Sequence, residues 1–135
     1  MTLIKWTDKF KVDITEIDEQ HKKLIDLANK LYAALKEGKA RNILDDVFNS
    51  LADYASYHFD TEETLFGIHG YPDIIRHINE HNEFRRSLIS LKEKHQREDY
   101  SAGIETMFFL KDWLKKHILD EDKKYAPFFI GKGVC

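Results

Sequence analysis

The sequence predicts an all-α protein, an up-down-up-down four-helix bundle with an extended N-terminal arm. Two prolines and six glycines in 135 residues are few helix breakers, so long helices are favoured. Four successive stretches carry apolar residues at steps of three and four, the period of an amphipathic helix. The connections between these stretches are short, and short connections place consecutive helices antiparallel to one another.

The arm and the first helix form the N-terminal part of the prediction. Residues 1–16 alternate loosely between apolar and polar, and we expect them to lie on the bundle. The first helix should start near Asp18, a residue type that caps helices, and stop at Gly38. His21 stands at the N-terminal end of its apolar line. That line comprises Leu24, Leu27, Ala28, Leu31 and Leu35.

The second and third helices meet at the turn "HGYPD". The second helix is predicted from Ala40 to Phe66, with Gly67 as its stop. Its stripe is Leu44, Val47, Phe48, Leu51, Tyr54 and Ala55, continued by His58, Glu62 and Leu65. Pro72 suits the first turn of the third helix, which should reach about His95. Its inner line is Ile74, His77, Ile78, His81, Phe84, Leu88 and Leu91.

The fourth helix should be capped by Ser101 and end the bundle at residue 122. Its predicted inner line is Ile104, Met107, Phe108, Leu110 or Lys111, Leu114, His117 and Ile118. Residues 123–135 are expected to be a C-terminal tail that breaks at Pro127. The chain is therefore predicted as one domain, with an arm over 1–16 and a bundle over 17–122.

Composition limits the classes of function. The net charge is −3 and no long basic run occurs, so neither nucleic acid nor an anionic membrane is an expected partner. No apolar stretch approaches the roughly 20 residues of a membrane-spanning helix. The N-terminus lacks the unbroken apolar segment of a signal peptide. The only cysteine, Cys135, cannot form an internal disulfide, and we expect a cytoplasmic protein.

Five histidines are predicted to meet in one layer at one end of the bundle. In an antiparallel bundle, the start of the first and third helices lies level with the end of the second and fourth. The layer would hold His21, His58, His77, His81 and His117, together with Glu62. Each buried imidazole without a partner costs about 1–3 kcal/mol, against a total stability of about 5–15 kcal/mol. A metal ion that accepts a lone pair from each ring would compensate that cost.

Spacing excludes two histidines from the layer and leaves open which carboxylate follows His117. His69, in the turn, and His95, in a charged stretch, are predicted to be ordinary surface residues. After His117, helical spacing favours Glu121 at i+4, and Asp120 at i+3 is also possible. Asp122, at i+5, would point off that face of an ideal helix.

The motifs together resemble the hemerythrin family, and most closely its single-domain bacterial members. The matching segments are "DEQH", "HFDTEE", "HINEH" after "GYPD", and "HILDEDKKY", in this order. The resemblance implies a non-haem, oxo- or hydroxo-bridged centre of two iron ions that binds O2 reversibly. It also picks Asp122, since "D-x-x-Y" matches Asp122 to Tyr125. It assigns His77, His81 and His117 to one iron, His21 and His58 to the other, and Glu62 and Asp122 as bridges.

The implied ligand set leaves room for an external ligand. Of about twelve positions on two octahedral irons, these ligands and the bridging oxygen fill about eleven, so one stays open on the iron with two histidines. Trp113, Leu114 and Ile118 flank His117 and are expected to form a dry O2 pocket. We therefore expect an O2-binding protein for storage, delivery or sensing, and not an enzyme.

Two other functions remain open at this stage. One is a di-iron enzyme or repair protein that reduces nitric oxide or peroxide, or donates iron. The other is a structural bundle loaded with zinc. The open position argues against the structural bundle, because structural zinc sites are closed.

Overall fold

A computed structural model describes residues 4–134 of the chain. The described part is helical and contains no strand. Its elements are a short 3₁₀ turn (Asp8–Phe10), α1 (Thr15–Lys36), α2 (Ala40–His69), α3 (Ile74–Gln96), α4 (Ala102–Trp113), a π-helical segment (Leu114–Asp122) and α5 (Lys123–Gly131). α1 packs on α2 and α4, and α3 packs on α2 and α4, which is the arrangement of a four-helix bundle. The predicted fold class is confirmed. No helix in the described range is both long and apolar enough to cross a membrane.

The first helix starts earlier than predicted because Asp18 has another role. α1 begins at Thr15, and the buried Asp18 accepts a hydrogen bond from the backbone N–H of Val12 at 2.8 Å. This bond fastens the arm to the bundle, where Phe10 and Val12 are buried. The helix ends at the predicted place, since Gly38 adopts a φ of +71°.

The second helix runs three residues past its predicted end. Gly67 lies inside α2, and the helix stops at Gly70, whose φ is +68°. The helix closes on Phe66, whose backbone carbonyl accepts hydrogen bonds from the N–H groups of Gly70 and Tyr71. Pro72 lies in the following turn instead of the first turn of α3, which starts at Ile74.

The fourth bundle helix is rotated relative to the prediction. Ile104 and Phe108 are 50% and 53% exposed, so neither belongs to the inner line. The bundle side of α4 carries Gly103, where an added Cβ would meet Leu35 and Ala40 at 3.2 and 3.3 Å. This close approach turns that face inward. Ser101 forms no side-chain cap; its hydroxyl bonds to Asp99.

The C-terminal segment is a helix and not the predicted tail. α5 continues directly from the π-helical segment and contains Pro127. Tyr125 and Phe129 are completely buried against the arm and the end of α2, and this burial holds the helix past the proline. Residue 135, the only cysteine, lies outside the described residues.

The apolar core is divided into two clusters. The large cluster fills most of the bundle and includes Leu24, Tyr54 and Leu114. The small cluster joins the arm, the end of α2 and α5; it comprises Val12, Ile14, Ile17, Phe66, Tyr71, Tyr125 and Phe129. Along α1, α2 and the fourth bundle helix, buried histidines and carboxylates stand between the members of the two clusters. A polar layer thus separates two apolar regions.

Candidate metal centre

All seven predicted ligands lie in this polar layer. Each is at most 2% exposed to solvent. α1 contributes one side chain, and α2, α3 and the π-helical segment contribute two each. In chain order they are His21, His58, Glu62, His77, His81, His117 and Asp122. The layer is therefore built from four helices and closed to water.

The carboxylate of Asp122 contacts histidines from three helices. Its Oδ1 lies 2.8 Å from Nε2 of His77 and 2.9 Å from Nε2 of His117. Its Oδ2 lies 3.1 Å from Nε2 of His21. Asp122 thus lies between His21 on α1 and the pair formed by His77 and His117.

Glu62 occupies the corresponding place on α2. Its Oε1 lies 3.1 Å from Nε2 of both His58 and His81, and 3.9 Å from Nε2 of His77. Its Oε2 accepts a hydrogen bond from the hydroxyl of Tyr125 at 2.5 Å. This bond fixes the carboxylate with one oxygen facing the histidines.

Most of the atoms that face the middle of the layer lack hydrogen bonds; the Nε2 atoms of His21 and His58, 3.1 Å apart, are the exception. Although several of these atoms lie close together, their contacts lack the geometry of a hydrogen bond. Among the described residues, this holds for Oε1 of Glu62, both Oδ atoms of Asp122, and Nε2 of His77, His81 and His117. Two groups of side chains bring potential ligand atoms within 4.8 Å of one another: Glu62, His77, His81 and His117, and then His21, His58, Glu62 and Asp122. Unpaired nitrogen and oxygen atoms that converge inside a protein are the donor set of a transition-metal site.

The pKa values in the layer reflect the same crowding. Burial would lower the pKa of His117, but the neighbouring Asp122 carboxylate raises it to about 10. Burial would raise the pKa of Asp122, but His117, His21 and His77 hold it well below its usual value. For His58 burial prevails, and its pKa is lowered despite the nearby Glu62. The carboxylates and imidazoles of the layer therefore act on one another electrostatically at short range.

A second set of side chains orients the histidine rings from outside. Nδ1 of His58 lies 2.5 Å from Oε1 of Gln20, and Nδ1 of His117 lies 3.1 Å from Oε1 of Glu80. Nδ1 of His81 lies 3.3 Å from Oε2 of Glu63. An N–H donated outward leaves the Nε2 lone pair directed inward, where a metal ion would bind.

These outer partners do not follow from apolar periodicity, although the sequence carries another signal for them. Gln20, Glu63 and Glu80 each stand next in sequence to a predicted ligand, and each reaches a histidine on the neighbouring helix. A carboxylate or amide adjacent to each ligand is the pattern that would have indicated them.

The π-helical segment explains why Asp122 shares a face with His117. In a π-helix the turn closes between residues i and i+5, and these two residues are five apart. Glu121, the residue favoured by ideal α-helical spacing, instead forms ion pairs with Arg76 at 2.8 Å and Lys124 at 3.0 Å. Of the acidic residues that follow His117, Asp122 is the one the segment brings into the layer.

The predicted pocket residues lie beside the layer in the large cluster. The indole of Trp113 stacks on the ring of His117, with centroids 3.9 Å apart and planes within 11°. Leu114 and Ile118 are completely buried. Tyr54 stacks on His58 at 5.0 Å. Burial and the charges of Glu62 and Asp122 raise the pKa of Tyr54 well above its usual value, whereas the nearby indole N–H of Trp113 lowers it.

The two remaining histidines lie away from the layer. His95 contacts Asp45 through Nε2 at 3.1 Å, and the ring of His69 lies 5.7 Å from that of Phe129. Both histidines are half-buried, whereas the sequence predicted ordinary surface residues at these positions.

Comparison with known proteins agrees with this arrangement. The family model of the hemerythrin HHE cation binding domain matches residues 12–129. A bacteriohemerythrin of Clostridium acetobutylicum is 35% identical, and the match covers 89% of this chain and 96% of that protein. A bacteriohemerythrin of Methylococcus capsulatus is 33% identical over 94% of this chain and 97% of that protein. The solved structure of a wild-type hemerythrin, 32% identical, superposes with a TM-score of 0.83 over 93% of this chain and 96% of that chain.

Proposed function

This chain belongs to the hemerythrin family, and from that premise we propose that it binds O2 reversibly at two non-haem iron ions, for oxygen storage, delivery or sensing. The observation that carries the proposal is the polar layer itself. Seven buried ligand-type side chains form two groups that share Glu62. Two adjoining groups of this kind fit two adjoining metal ions.

The residues divide between the ions as the family pattern implies. His77, His81 and His117 would hold one iron, and His21 and His58 would hold the other. Glu62 and Asp122 would bridge them, which agrees with their contacts to histidines of both sets. Bound ferrous ions would supply the electrons with which O2 is held and which return to iron on its release.

The protein's own part is to orient the ligands and keep water out. Gln20, Glu63 and Glu80 fix the histidine rings from outside. Trp113, Leu114 and Ile118 form the apolar wall proposed for the O2 pocket. A wall without polar side-chain atoms at Leu114 and Ile118 keeps water and protons from a reduced ligand, and this favours reversible binding over further reduction.

The test of function is the fate of O2. The protein is purified anaerobically, loaded with ferrous iron, and its visible spectrum is recorded through repeated cycles of air and argon. We expect a band that appears in air and disappears under argon, with no net loss of O2 from the solution. Steady consumption of O2 would identify an enzyme instead and overturn the proposal.

Iron content tests the assignment of the ligands. We expect two iron ions per chain by elemental analysis after iron-replete growth. His58→Ala and His81→Ala should lose iron, because each leaves a gap among the ligands. His69→Ala and His95→Ala are the matched controls and should keep it. One metal per chain, or zinc alone, would contradict the two-iron centre, and iron loss in a control would contradict the choice of histidines.

A further inference from the structure

Two aromatic side chains next to the centre carry polar atoms that the fold does not pair. The hydroxyl of Tyr54 and the indole N–H of Trp113 have no hydrogen-bond partner among the described residues. Tyr54 is 8% exposed and Trp113 is 9% exposed, so water does not replace the missing partner. A buried donor left unpaired lowers stability, and phenylalanine at position 54 would fill nearly the same space without that cost.

Both side chains lie directly against the proposed iron ligands. Tyr54 stacks on His58, which belongs to one metal-ligand group, with planes within 18°. Trp113 stacks on His117, which belongs to the other group. The indole N–H of Trp113 is also near Tyr54. The two unpaired donors are therefore close together and adjoin both halves of the centre.

Two further rings that pack around the pair carry no acceptor. Phe59 and Phe84 pack against both rings, with centroids between 4.8 and 6.0 Å from them. Aromatic hydrocarbon rings provide no oxygen or nitrogen that accepts a hydrogen bond. The indole N–H of Trp113 faces the Tyr54 oxygen as its nearest acceptor, so the Tyr54 hydroxyl is the donor that still lacks an acceptor.

A groove leads to this side of the centre. It lies between α1 and α2, has a volume of about 580 Å³, and is lined by Tyr54 and His58 among others. A small molecule in the groove therefore approaches His58, one of the two histidines proposed for the iron with the open position.

We propose that the Tyr54 hydroxyl, assisted by the Trp113 indole N–H, donates a hydrogen bond to the external ligand of the centre. The proposal rests on the proposed function, because it needs a ligand at the iron held by His21 and His58. The chemical class of ligand is a small diatomic or linear molecule whose outer atom is electron-rich, such as bound O2 or azide. The donors would favour such ligands over neutral ones that accept hydrogen bonds poorly, such as carbon monoxide.

The test uses Tyr54→Phe with azide as the probe. Azide is titrated into the oxidised, iron-loaded protein, and the dissociation constant is read from the visible spectrum. We expect azide to bind about tenfold more weakly to Tyr54→Phe, the loss typical of a hydrogen bond to a charged acceptor. Tyr100→Phe is the control: Tyr100 is 77% exposed between α3 and α4, and it does not line the groove. Its azide affinity should not change.

A second measurement on metal-free protein separates this role from a structural one. Removal of an unpaired hydroxyl should leave the unfolding midpoint of Tyr54→Phe equal to or above that of the parent. A lower midpoint would show that the hydroxyl has a partner within the fold, and unchanged azide affinity at full iron content would show that it does not reach the ligand. Either result overturns this inference and leaves reversible O2 binding standing. A parent protein that holds no iron would instead refute the proposed function.

Discussion

At the scale of single residues, the most consequential contact is the one between Asp122 and three imidazoles. Its two oxygens lie within 3.1 Å of ring nitrogens from α1, α3 and the π-helical segment. No other side chain of the layer approaches the Nε2 atoms of His21, His77 and His117 so closely at once. Removal of this carboxylate leaves three buried imidazoles without their common negative partner.

The first residue-scale prediction compares Asp122→Ala with Glu121→Ala. Asp122→Ala should lower the iron content per folded chain, because one proposed bridge is lost. Glu121→Ala should be nearly silent, since its ion pairs with Arg76 and Lys124 are at the surface, where such pairs contribute about 0–1 kcal/mol. Iron analysis of both variants, with circular dichroism to confirm folding, provides the measurement. The reverse order of iron loss would remove Asp122 from the ligand set.

The histidines and Asp122 differ in how far the sequence alone predicts them. The five histidines follow from the apolar periodicity, because each continues the buried stripe of a helix. Asp122 does not follow from it, since ideal α-helical spacing favours Glu121. The family resemblance was needed to choose Asp122, and the π-helical segment supplies the physical reason. Periodicity within one helix also does not reveal the roles of Gln20, Glu63 and Glu80, because their histidine partners lie on other helices.

The second residue-scale prediction concerns Leu114, which is fully buried three residues before His117. Leu114→Ala should keep two irons and still admit O2, but the oxygenated absorption band should decay faster in air as water reaches the pocket. Truncation of a buried leucine also costs roughly 2–5 kcal/mol of stability.

A matched control for Leu114→Ala is Leu44→Ala, since Leu44 is equally buried near the start of α2, far along the helix from His58. It should lose comparable stability and leave the decay unchanged. Equal decay rates in both variants and the parent would show that Leu114 does not shield the centre.

At the scale of helices, the positions of the ends decide which residues reach the layer. α2 carries Glu62 inward and continues to His69, and this brings Phe66 into the small cluster below the layer. Its end at Gly70 requires a left-handed backbone, with φ at +68°, whereas Gly67 sits in ordinary helical conformation. The sequence prediction placed the helix end at Gly67 and was wrong, because the sequence alone does not show which of the two glycines adopts a positive φ.

The two glycines yield opposite predictions for alanine. Gly67→Ala should raise the free energy of unfolding by about 0.4–1 kcal/mol, since an added Cβ meets no heavy atom within 4 Å and helix propensity improves. Gly70→Ala should lower it by about 1–2 kcal/mol, because alanine resists the left-handed conformation. Urea unfolding of both variants at equal metal content measures the difference. A stabilising Gly70→Ala would mean that the helix does not end there.

The rotation of α4 shows a second limit at this scale. The 3–4 spacing indicated an amphipathic helix correctly, but an inner line through Ile104 and Phe108 was wrong. Gly103 approaches Leu35 and Ala40 closely and sets the face that turns inward. A small residue at a close helix contact carries little weight in a search for apolar stripes, so the rotation needed tertiary information.

At the scale of the whole molecule, the polar layer lies between two apolar clusters of unequal size. The large cluster fills the bundle beyond the layer, while the small cluster depends on the arm, the end of α2 and α5. Each region has its own buried apolar surface. Without a cation, the layer between them contains unpaired buried polar atoms, and the smaller region has less burial with which to offset that cost.

This division leads to a prediction for metal removal. Amide hydrogen exchange should become faster around Val12 and in α5 when iron is removed, because these segments close the small cluster over the layer. Amides near Leu31 and Leu44, in the large cluster, should change much less. Mass spectrometry of the iron-loaded and metal-free protein provides the comparison. A uniform increase along the chain would mean that the two regions open as one unit.

The burial of the seven proposed ligands would also govern how long a bound ion stays. Each of the seven side chains is at most 2% exposed to solvent, so a chelator in solution could not contact a bound ion while the bundle is closed. The ion leaves only during an opening of the helices around it, and the rate of that opening limits its escape. Residence time is then set by the protein's motion and not by the thermodynamic strength of the competing chelator. We therefore expect a bound metal ion to exchange slowly, at a rate set by the opening of the helices.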